Sequence, residues 1–376
     1  MPFSSLGLLP ELLRAVGESN YPAPTPIQKE AIPAILKGRD VWACAQTGSG
    51  KTAAFALPVL QNTLNLERAT PLRVRTLILV PTRELAAQVG ETIQLFARYL
   101  RQPPKVVIVF GGLSINPQMM ALRGGADIVV ATPGRLLDLV DKNALRLADA
   151  TTLVLDEADR LLDLGFAVEL ASIIERLPQR RQNLLFSATF PSAVRVLAER
   201  LLHDPIRIDV PTTTATQPDI LQRSIHVDTA RRTQLLRHLI DKHGWTRTLV
   251  FVATKYATGH VAEKLRRAGI PAAAFSGDMS QGARTKALAD FKAARVRVLI
   301  ATDVAARGID IAQLAAVVNY DLPRSTTEYV HRIGRTGRAG ESGVAVSFVP
   351  TSAEEHFRLI EKRQGMRVPR EVIAGF

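Results

Sequence analysis

Residues Ala45 to Thr52 read AQTGSGKT, and their types and spacing suit the binding of a phosphate group. The two glycines let the backbone turn tightly and bring its N–H groups close to phosphate oxygens. The helix-compatible segment Ala53 to Leu60 follows, and the helix that starts there adds its positive end. The alternative, an ordinary Gly-rich turn before a helix, stays open here, because Ala45 stands where a phosphate loop usually has its first glycine. The predicted phosphate-binding residues are Ala45, Gln46, Thr47, Gly48, Ser49, Gly50, Lys51 and Thr52.

Two adjacent carboxylates follow about a hundred residues later, in the run Asp156-Glu157-Ala158-Asp159. Lys51 is predicted to reach the β- and γ-phosphates of a nucleotide, and Thr52 and Asp156 to hold Mg²⁺, directly or through water. Glu157 is the predicted base that orients and deprotonates the attacking water. Such acidic pairs also occur on surfaces and at helix starts, but this one follows an apolar run.

A third group is basic, in the segment HRIGRTGR from His331 to Arg338. Its arginines would repel one another without an anion to share. Arg335 and Arg338 are the predicted arginine fingers, which would reach the γ-phosphate across a cleft and so couple hydrolysis to domain closure. A solvated basic loop, or a contact to nucleic-acid phosphates, is the alternative.

Short apolar runs, each ending in a polar or glycine-bearing cluster, are predicted to position these groups. In the first half the runs are Leu77–Val80, Val106–Phe110, Ile128–Ala131, Leu153–Leu155 and Leu184–Phe186. Helix-compatible segments separate them, such as Glu84–Leu100 and Ala167–Leu177. This alternation predicts an α/β fold with a mostly parallel sheet, whose clusters gather at the carboxyl ends of the strands.

The pattern lapses at residues 210–218 (VPTTTATQP), which are predicted to be an interdomain linker. It then resumes in the runs Leu249–Val252, Ala272–Phe275, Val298–Ile300 and Val317–Val318, with helices predicted over Arg231–Ile240 and His260–Ala268, the latter capped by Gly269. We therefore expect a first α/β domain over residues 1–209 and a second over 219–376. The second half has no GKT loop and should lack a complete nucleotide site.

Composition points to a polyanionic partner. The formal charge is +13, and residues 212–376 alone carry 25 Lys and Arg against 15 Asp and Glu. Nucleic acid is the first candidate and an anionic membrane the second, and a surface charge that only keeps the protein in solution is the alternative. One cysteine, Cys44, excludes an internal disulfide and fits a reducing compartment. The sequence shows neither a signal peptide nor an apolar run long enough for a membrane span, so a cytoplasmic location is expected.

Taken in order, AQTGSGKT, PTREL, TPGR, DEAD, SAT, ATDVAARGID and HRIGRTGR resemble the motifs of DEAD-box ATP-dependent RNA helicases of superfamily 2. The start FSSLGL, the segment SQGARTKALADFK and the end VPREVIAGF are similar to the bacterial RhlE group. The resemblance covers essentially the whole chain. It implies two tandem RecA-like domains, ATP and Mg²⁺ as ligands, and RNA-dependent ATP hydrolysis.

The resemblance also implies roles in the nucleotide pocket that spacing alone does not give. Gln28, in PTPIQ, would read the adenine edge, with Tyr21 and Phe3 in the same pocket. Asn20 replaces the glycine that is usual before this aromatic residue. Asp310 would contact the ribose.

Other family roles concern communication between ATP and RNA. Ser187 and Thr189 would bond Asp159 and couple the ATP site to domain closure, although they could instead cap the next helix. Asp303 and Arg307 are expected to make interdomain contacts.

The implied RNA surface consists of hydroxyls, glycine N–H groups, helix starts and arginines, which are ligands for backbone phosphates. Its residues are Pro81, Thr82, Arg83, Glu84, Gly111, Gly112, Thr132, Pro133, Gly134 and Arg135, with Gly277, Gln281, Arg284, Thr302, Val304 and Ala305 in the second domain. No aromatic cluster stands among them, so binding with little sequence preference is expected.

The sequence therefore predicts an ATP-dependent RNA helicase that binds single-stranded RNA across two domains and locally unwinds short duplexes. A nucleotide-gated RNA clamp or remodelling scaffold, and a superfamily 2 DNA helicase, are the alternatives. A monomer without a membrane partner is expected, and the motifs do not indicate protein partners.

Overall fold

Short buried strands alternate with helices in this computed structural model, as the apolar runs predict. It describes residues 1–19, 21–45, 48–210, 220–306, 314–337 and 343–376. The chain divides into two units, Met1–Thr212 and Thr213–Phe376. The predicted domain limits lie within a few residues of this division and stay a prediction, since residues 211–218 of the expected linker lie outside the described residues.

The first unit is a parallel sheet of seven strands between two helical layers. Its strands are β1 (Val41–Cys44), β2 (Thr76–Leu79), β3 (Val106–Val109), β4 (Ile128–Ala131), β5 (Thr152–Leu155), β6 (Gln182–Ser187) and β7 (Ile206–Asp209). Its helices are α1 (Pro10–Glu18), α2 (Pro26–Leu36), α3 (Lys51–Leu64), α4 (Arg83–Ala97), α5 (Ile115–Ala121), α6 (Pro133–Asp141), α7 (Ala158–Asp163), α8 (Ala167–Glu175) and α9 (Ser192–Leu201). The strand order is β3-β4-β2-β5-β6-β1-β7.

The second unit repeats this plan with the order β10-β11-β9-β12-β13-β8-β14, again all parallel. Its strands are β8 (Ile220–His226), β9 (Thr248–Phe251), β10 (Ala272–Phe275), β11 (Val298–Ala301), β12 (Ala316–Asn319), β13 (Gly343–Val349) and β14 (Arg370–Val372). Its helices are α10 (Arg232–His243), α11 (Lys255–Arg267), α12 (Gln281–Lys292), α13 (Asp303–Ala306), α14 (Thr326–Ile333) and α15 (Glu354–Gln364).

Each sheet is buried on both faces, which explains why its central strands read as continuous apolar runs. In the first unit, α1 to α4 supply one core layer, with side chains such as Leu12 and Phe55, and α5 to α9 supply the other, with side chains such as Leu139 and Ile173. In the second, α10 and α11 cover one face and α12 to α15 the opposite face.

Hydroxyl side chains at strand ends start several helices. Thr82, Thr254, Ser280 and Ser325 each accept a backbone N–H from the first turn of the helix that follows. Such N-caps satisfy donors that have no partner inside the helix. Because the strands are parallel, these helix starts and the polar motifs share the carboxyl edge of their sheet, as predicted.

A fully paired ion cluster closes the second sheet beside β14, and we name it the C-terminal cluster: Arg370, Glu354 and Glu361. The Arg370 guanidinium donates to both carboxylates at 2.9 to 3.1 Å and lies 4.7 Å from the Phe357 ring centroid. These hydrogen bonds hold the pKa values of Glu354 and Glu361 below their usual range.

Candidate nucleotide and RNA site

The phosphate loop joins β1 to α3 in the geometry that the glycines predict. Gly48 and Gly50 have φ of +83° and +88°, in the left-handed region that favours glycine. The Lys51 ammonium is buried and donates to the Ala45 carbonyl at 2.7 Å, so the lysine spans the loop from its end to its beginning. Gln46 and Thr47 lie outside the described residues.

Gln28 packs directly on this loop. Its side-chain oxygen accepts the Thr25 N–H at 3.0 Å, and its side-chain nitrogen donates to the Gly50 carbonyl at 3.0 Å. A Cβ on Gly50 would approach that nitrogen to 2.4 Å, so the contact requires glycine as much as the backbone angle does. Each end of the amide keeps one further hydrogen-bonding valence for a base edge.

The two aromatic residues expected in the adenine pocket meet each other. The Phe3 and Tyr21 rings are perpendicular with centroids 6.4 Å apart, and Tyr21 also meets Phe96 at 5.9 Å. Phe3 is buried and belongs to the core of the unit, whereas Tyr21 is half-buried. Edge-to-face pairs of this kind anchor the amino-terminal segment beside α2.

Asp156 directly follows strand β5 and is buried, with only 2% of its surface exposed. Burial raises the pKa of its carboxyl to about 7, and the charges of Glu157 and Asp159 act in the same direction. Lys51 and the Glu157 N–H, which donates to Asp156 Oδ1 at 2.9 Å, lower it again. A carboxylate and a hydroxyl are the hard oxygen donors that suit Mg²⁺, so Asp156 and Thr52 fit that ion.

Glu157 has a left-handed backbone conformation, with φ +52° and ψ 52°. A residue with a Cβ occupies this region at a cost of about 1–2 kcal/mol. Its carboxylate is buried, and Oε2 lies 3.4 Å from Arg160 Nη1. Strained backbone held by its surroundings is typical of functional sites.

Asp159 joins the DEAD segment to the SAT segment through side-chain bonds. Its Oδ2 accepts the Thr189 hydroxyl at 2.8 Å and the Thr189 N–H at 3.0 Å. The Ser187 hydroxyl accepts the Asp159 N–H at 3.2 Å and donates to the Thr189 carbonyl at 2.7 Å. The alternative role as a helix cap is not realised, because α9 begins after Pro191 with no side-chain cap.

The candidate RNA residues of the first unit meet at neighbouring strand ends. A Cβ on Gly112 would lie 1.9 Å from an Arg83 guanidinium nitrogen, so Arg83 rests against that glycine. Thr132 accepts the Gly111 N–H at 3.4 Å. Gly112 is exposed and Thr82, Arg83, Glu84, Gly111 and Gly134 are half-buried, whereas Pro81, Thr132, Pro133 and Arg135 are buried.

Arg135 differs from the cation expected on an RNA surface. Only 9% of its surface is exposed, and its guanidinium donates to the Leu113 carbonyl at 2.9 Å and approaches Asp138 at 3.5 Å. The side chain therefore braces the turn that follows β3. Its pairing could not be read from the TPGR motif, because it depends on how closely α6 approaches that turn.

The second-unit candidates show the same mixture. Gly277 and Val304 are exposed and Gln281 is half-buried, whereas Thr302 and Ala305 are buried. Arg284 is buried, donates to the Ser276 carbonyl at 3.1 Å, and lies 4.5 Å from the Phe275 ring centroid.

Asp303 forms a two-bond ion pair within its unit, and its expected interdomain contacts stay a prediction. Arg332 donates to its two carboxylate oxygens at 2.6 Å each. The same guanidinium also binds Asn319 Oδ1 at 3.0 Å and the Asp321 carbonyl at 2.6 Å. The HRIGRTGR motif gives no signal for this role of Arg332, because only the fold shows that the side chain is buried among acceptors. These bonds fix the end of α14, just before the predicted fingers.

Arg335 follows α14 and is buried, and its backbone N–H donates to the Arg332 carbonyl at 3.2 Å. Arg338, Asp310 and Arg307 lie outside the described residues, so their predicted roles stay predictions.

None of the helices in the described ranges is both long and apolar enough to cross a membrane. Within the same ranges, no group of three or more His, Cys, Asp or Glu side chains could hold a metal ion.

Comparison with known proteins agrees with this arrangement. Residues 25–197 match the DEAD/DEAH box helicase family and residues 231–340 match the helicase conserved C-terminal domain. The chain is 44% identical over 360 residues to the ATP-dependent RNA helicase DeaD of Mycobacterium tuberculosis, covering 96% of this chain and 63% of the relative. It is also 44% identical over 367 residues to DeaD of Escherichia coli, covering 98% and 58%. The chain thus spans about three fifths of the length of these curated relatives, with which an RhlE-like subtype is consistent.

Solved structures show the same fold. Yeast Dbp5 bound to RNA and ADP BeF3 is 33% identical, with a TM-score of 0.85 and coverage of 99% of this chain and 95% of that one. A DEAD box protein from Methanococcus jannaschii is 37% identical, with a TM-score of 0.54 and coverage of 99% of both chains. With its two tandem RecA-like domains, the chain belongs to the DEAD-box helicase family.

Proposed function

We propose that this chain is an ATP-dependent RNA helicase: an RNA-stimulated ATPase that binds single-stranded RNA and locally separates short duplexes. The observation that carries the proposal is the meeting of the phosphate loop, the Asp156–Glu157 pair and the Asp159–Thr189 bond at one sheet edge. The names of the DeaD relatives, and the RNA and ADP BeF3 bound to Dbp5, support it.

ATP is the proposed ligand of the first unit. The loop N–H groups from Gly48 to Lys51 and the start of α3 would hold the phosphates. Mg²⁺ would be held by Thr52 and by Asp156, directly or through water, and would supply charge stabilisation of the transferred phosphoryl group. Glu157 would accept a proton from the attacking water. Gln28, with Tyr21 and Phe3 nearby, would hold the adenine.

RNA is the proposed activator. The exposed and half-buried residues at the strand ends would contact backbone phosphates, so we expect little sequence preference. The buried Arg135 and Arg284 would shape this surface from beneath. Discrimination against DNA would rest on 2′-OH contacts.

Coupling would run through two elements. Asp159 and Thr189 would link the catalytic edge to the SAT segment, and Arg335 and Arg338 would complete the γ-phosphate site from the second unit. If ATP and RNA both favour the complete site, each must strengthen binding of the other by the same factor. A cytoplasmic location and a monomeric state belong to the same proposal.

The test is steady-state ATP hydrolysis without nucleic acid, with single-stranded RNA, and with DNA of the same sequence. Strand separation is followed in parallel on a short RNA duplex. Stimulation by RNA alone, with ATP-dependent separation, is the expected result. Equal stimulation by DNA would favour a DNA helicase. Nucleotide-dependent retention of RNA without strand separation would favour a clamp.

A further inference from the structure

A buried arginine, Arg160, follows the DEAD segment directly. It lies in α7, and only 4% of its surface is exposed. Its Nη1 atom and Glu157 Oε2 are 3.4 Å apart. Among the described residues, each of these two buried atoms has no hydrogen-bond partner. Arg160 thus forms an ion pair with the proposed base, and no role in the site has so far been given to it.

Because both side chains are buried, the pairing of Arg160 with Glu157 affects the free energy of the folded state. Removing a guanidinium from water costs several kcal/mol unless an opposite charge compensates it, and the same holds for a carboxylate. The exposed pair Arg14–Glu18 shows the contrast, since its side chains are 73% and 49% exposed and water screens them. Arg160 and Glu157 must therefore compensate each other, and the position of one constrains the other.

The backbone fixes both residues in one turn. The Arg160 N–H donates to the Glu157 carbonyl at 2.9 Å and to Asp159 Oδ1 at 3.0 Å. Glu157 holds its left-handed conformation at the start of this turn. The same Asp159 carboxylate accepts the Thr189 hydroxyl, so the turn is tied to the SAT segment. Arg160 is therefore held by hydrogen bonds that continue through Asp159 to the SAT segment, which is proposed to couple the ATP site to domain closure.

We propose that Arg160 is a positioning residue for Glu157. Its guanidinium attracts one carboxylate oxygen and so directs the other toward the attacking water. Rigid placement of a base matters because a displacement of about 1 Å can lower a rate roughly 100-fold. This inference rests on the function proposed above.

The test compares Arg160→Met, Arg160→Lys and Arg160→Gln with the unaltered chain in ATP turnover at saturating RNA. The readouts are kcat, KM for ATP, the RNA dissociation constant and the thermal unfolding curve. Arg176→Met is the matched control, because Arg176 pairs with Asp141 at 3.3 Å on the surface of the same unit, with side-chain exposures of 40% and 63%.

For Arg160→Met we expect kcat to fall about 10- to 100-fold while KM and RNA affinity stay within about threefold. Arg160→Lys should recover most of the loss because it restores the charge, and Arg160→Gln should not. Combining Arg160→Met with Glu157→Gln should lower kcat no further than Glu157→Gln alone, since both changes act through one group. Arg176→Met should behave as the unaltered chain.

Wild-type kcat in Arg160→Met would overturn the proposal, and so would a rise in RNA-independent turnover, which would make Arg160 a restraint on the base. If Arg160→Met does not fold, Arg160→Lys and Arg160→Gln decide: equal kcat in the two folded variants also overturns it. Absence of RNA-stimulated turnover in the unaltered chain would instead be a failure of the proposed function.

Discussion

Two clusters of charged side chains are built in opposite ways. The C-terminal cluster satisfies every charge: Arg370 reaches both glutamates with short bonds, and their pKa values are lowered. The cluster of Asp156, Glu157 and Arg160, which we name the site cluster, is more deeply buried. Two of its buried atoms have no hydrogen-bond partner within the described part of the chain, and one carboxyl has a pKa raised to about 7.

The contrast separates stability from function. Paired charges near a surface lower the free energy of the folded state, whereas buried carboxylates that await a ligand raise it. We therefore expect substitutions in the C-terminal cluster to lower the stability of the fold, and substitutions in the site cluster to act mainly on the rate of ATP turnover.

The largest expected effect comes from Arg335→Ala, which asks whether the site cluster needs a cation from the second unit. Loss of an arginine finger should lower kcat by about 10³-fold or more, because the transition-state charge loses its counter-charge. ATP affinity, measured by titration with a fluorescent nucleotide, should change far less. A loss confined to RNA affinity would instead identify Arg335 as part of a basic loop.

Glu157→Gln should lower turnover by about 10²- to 10⁴-fold, since an amide has no basic oxygen to take the proton. ATP and RNA should still bind, and the RNA complex formed with ATP should dissociate slowly. Single-turnover hydrolysis and RNA release measure the two quantities. Near-normal turnover would remove Glu157 from the role of base and with it the basis of the Arg160 proposal.

Arg370→Met should act on stability alone. We expect a loss of about 1–3 kcal/mol, which for a unit of this size corresponds to several degrees in the unfolding temperature. The pKa values of Glu354 and Glu361 are lowered on folding, so their contribution is complete above their ordinary value near 4.5 and is lost as the pH falls through the lower folded values. The difference from the unaltered chain should thus be full at pH 7 and shrink in acid; RNA-stimulated kcat below the transition should not change.

Asp156→Asn should have the smallest effect, and it should raise the unfolding temperature, whereas Arg370→Met should lower it. Its pKa is raised from 3.8 to about 7, so folding binds a proton between these values and the stability from this group falls as the pH rises through that window. Above pH 7 the charge is buried, and a neutral amide should raise the unfolding temperature by a few degrees. Thermal unfolding at pH 5.5 and pH 8 without nucleotide tests this, the gain being larger at pH 8. A gain that is equal at both values would contradict the raised pKa.

The parts of the fold with strong local signals were predictable. Strands such as β4, and even β10 at the edge of the second sheet, appear at the predicted residues, because continuous apolar runs are typical of parallel sheets. The edge strands β7 and β14 were missed, since IRID alternates apolar and polar residues and REV is only three residues long. Helix α11 begins five residues before its predicted start because Thr254 caps it.

The site divides along the same line. Phosphate-loop glycines and the acidic pair follow from local backbone chemistry, so their motifs indicate their positions. The partners of charged side chains do not follow from motifs. Asp303 pairs with Arg332, and Arg135 donates to the Leu113 carbonyl, because strand spacing and the approach of helices decide which groups meet. Sequence reasoning is weakest for buried arginines, whose burial the residue type argues against.

The single amide of Gln28 has a further consequence. It donates to the carbonyl of Gly50, the residue just before α3, so the side chain proposed to bind the adenine is directly bonded to the loop proposed to bind the phosphates. A nucleotide with the wrong base would displace this amide and with it the Gly50 carbonyl. Selectivity for adenine would then appear as a difference in how tightly the triphosphate is bound. A pyrimidine nucleotide would be a poor substrate for hydrolysis although its phosphates are the same.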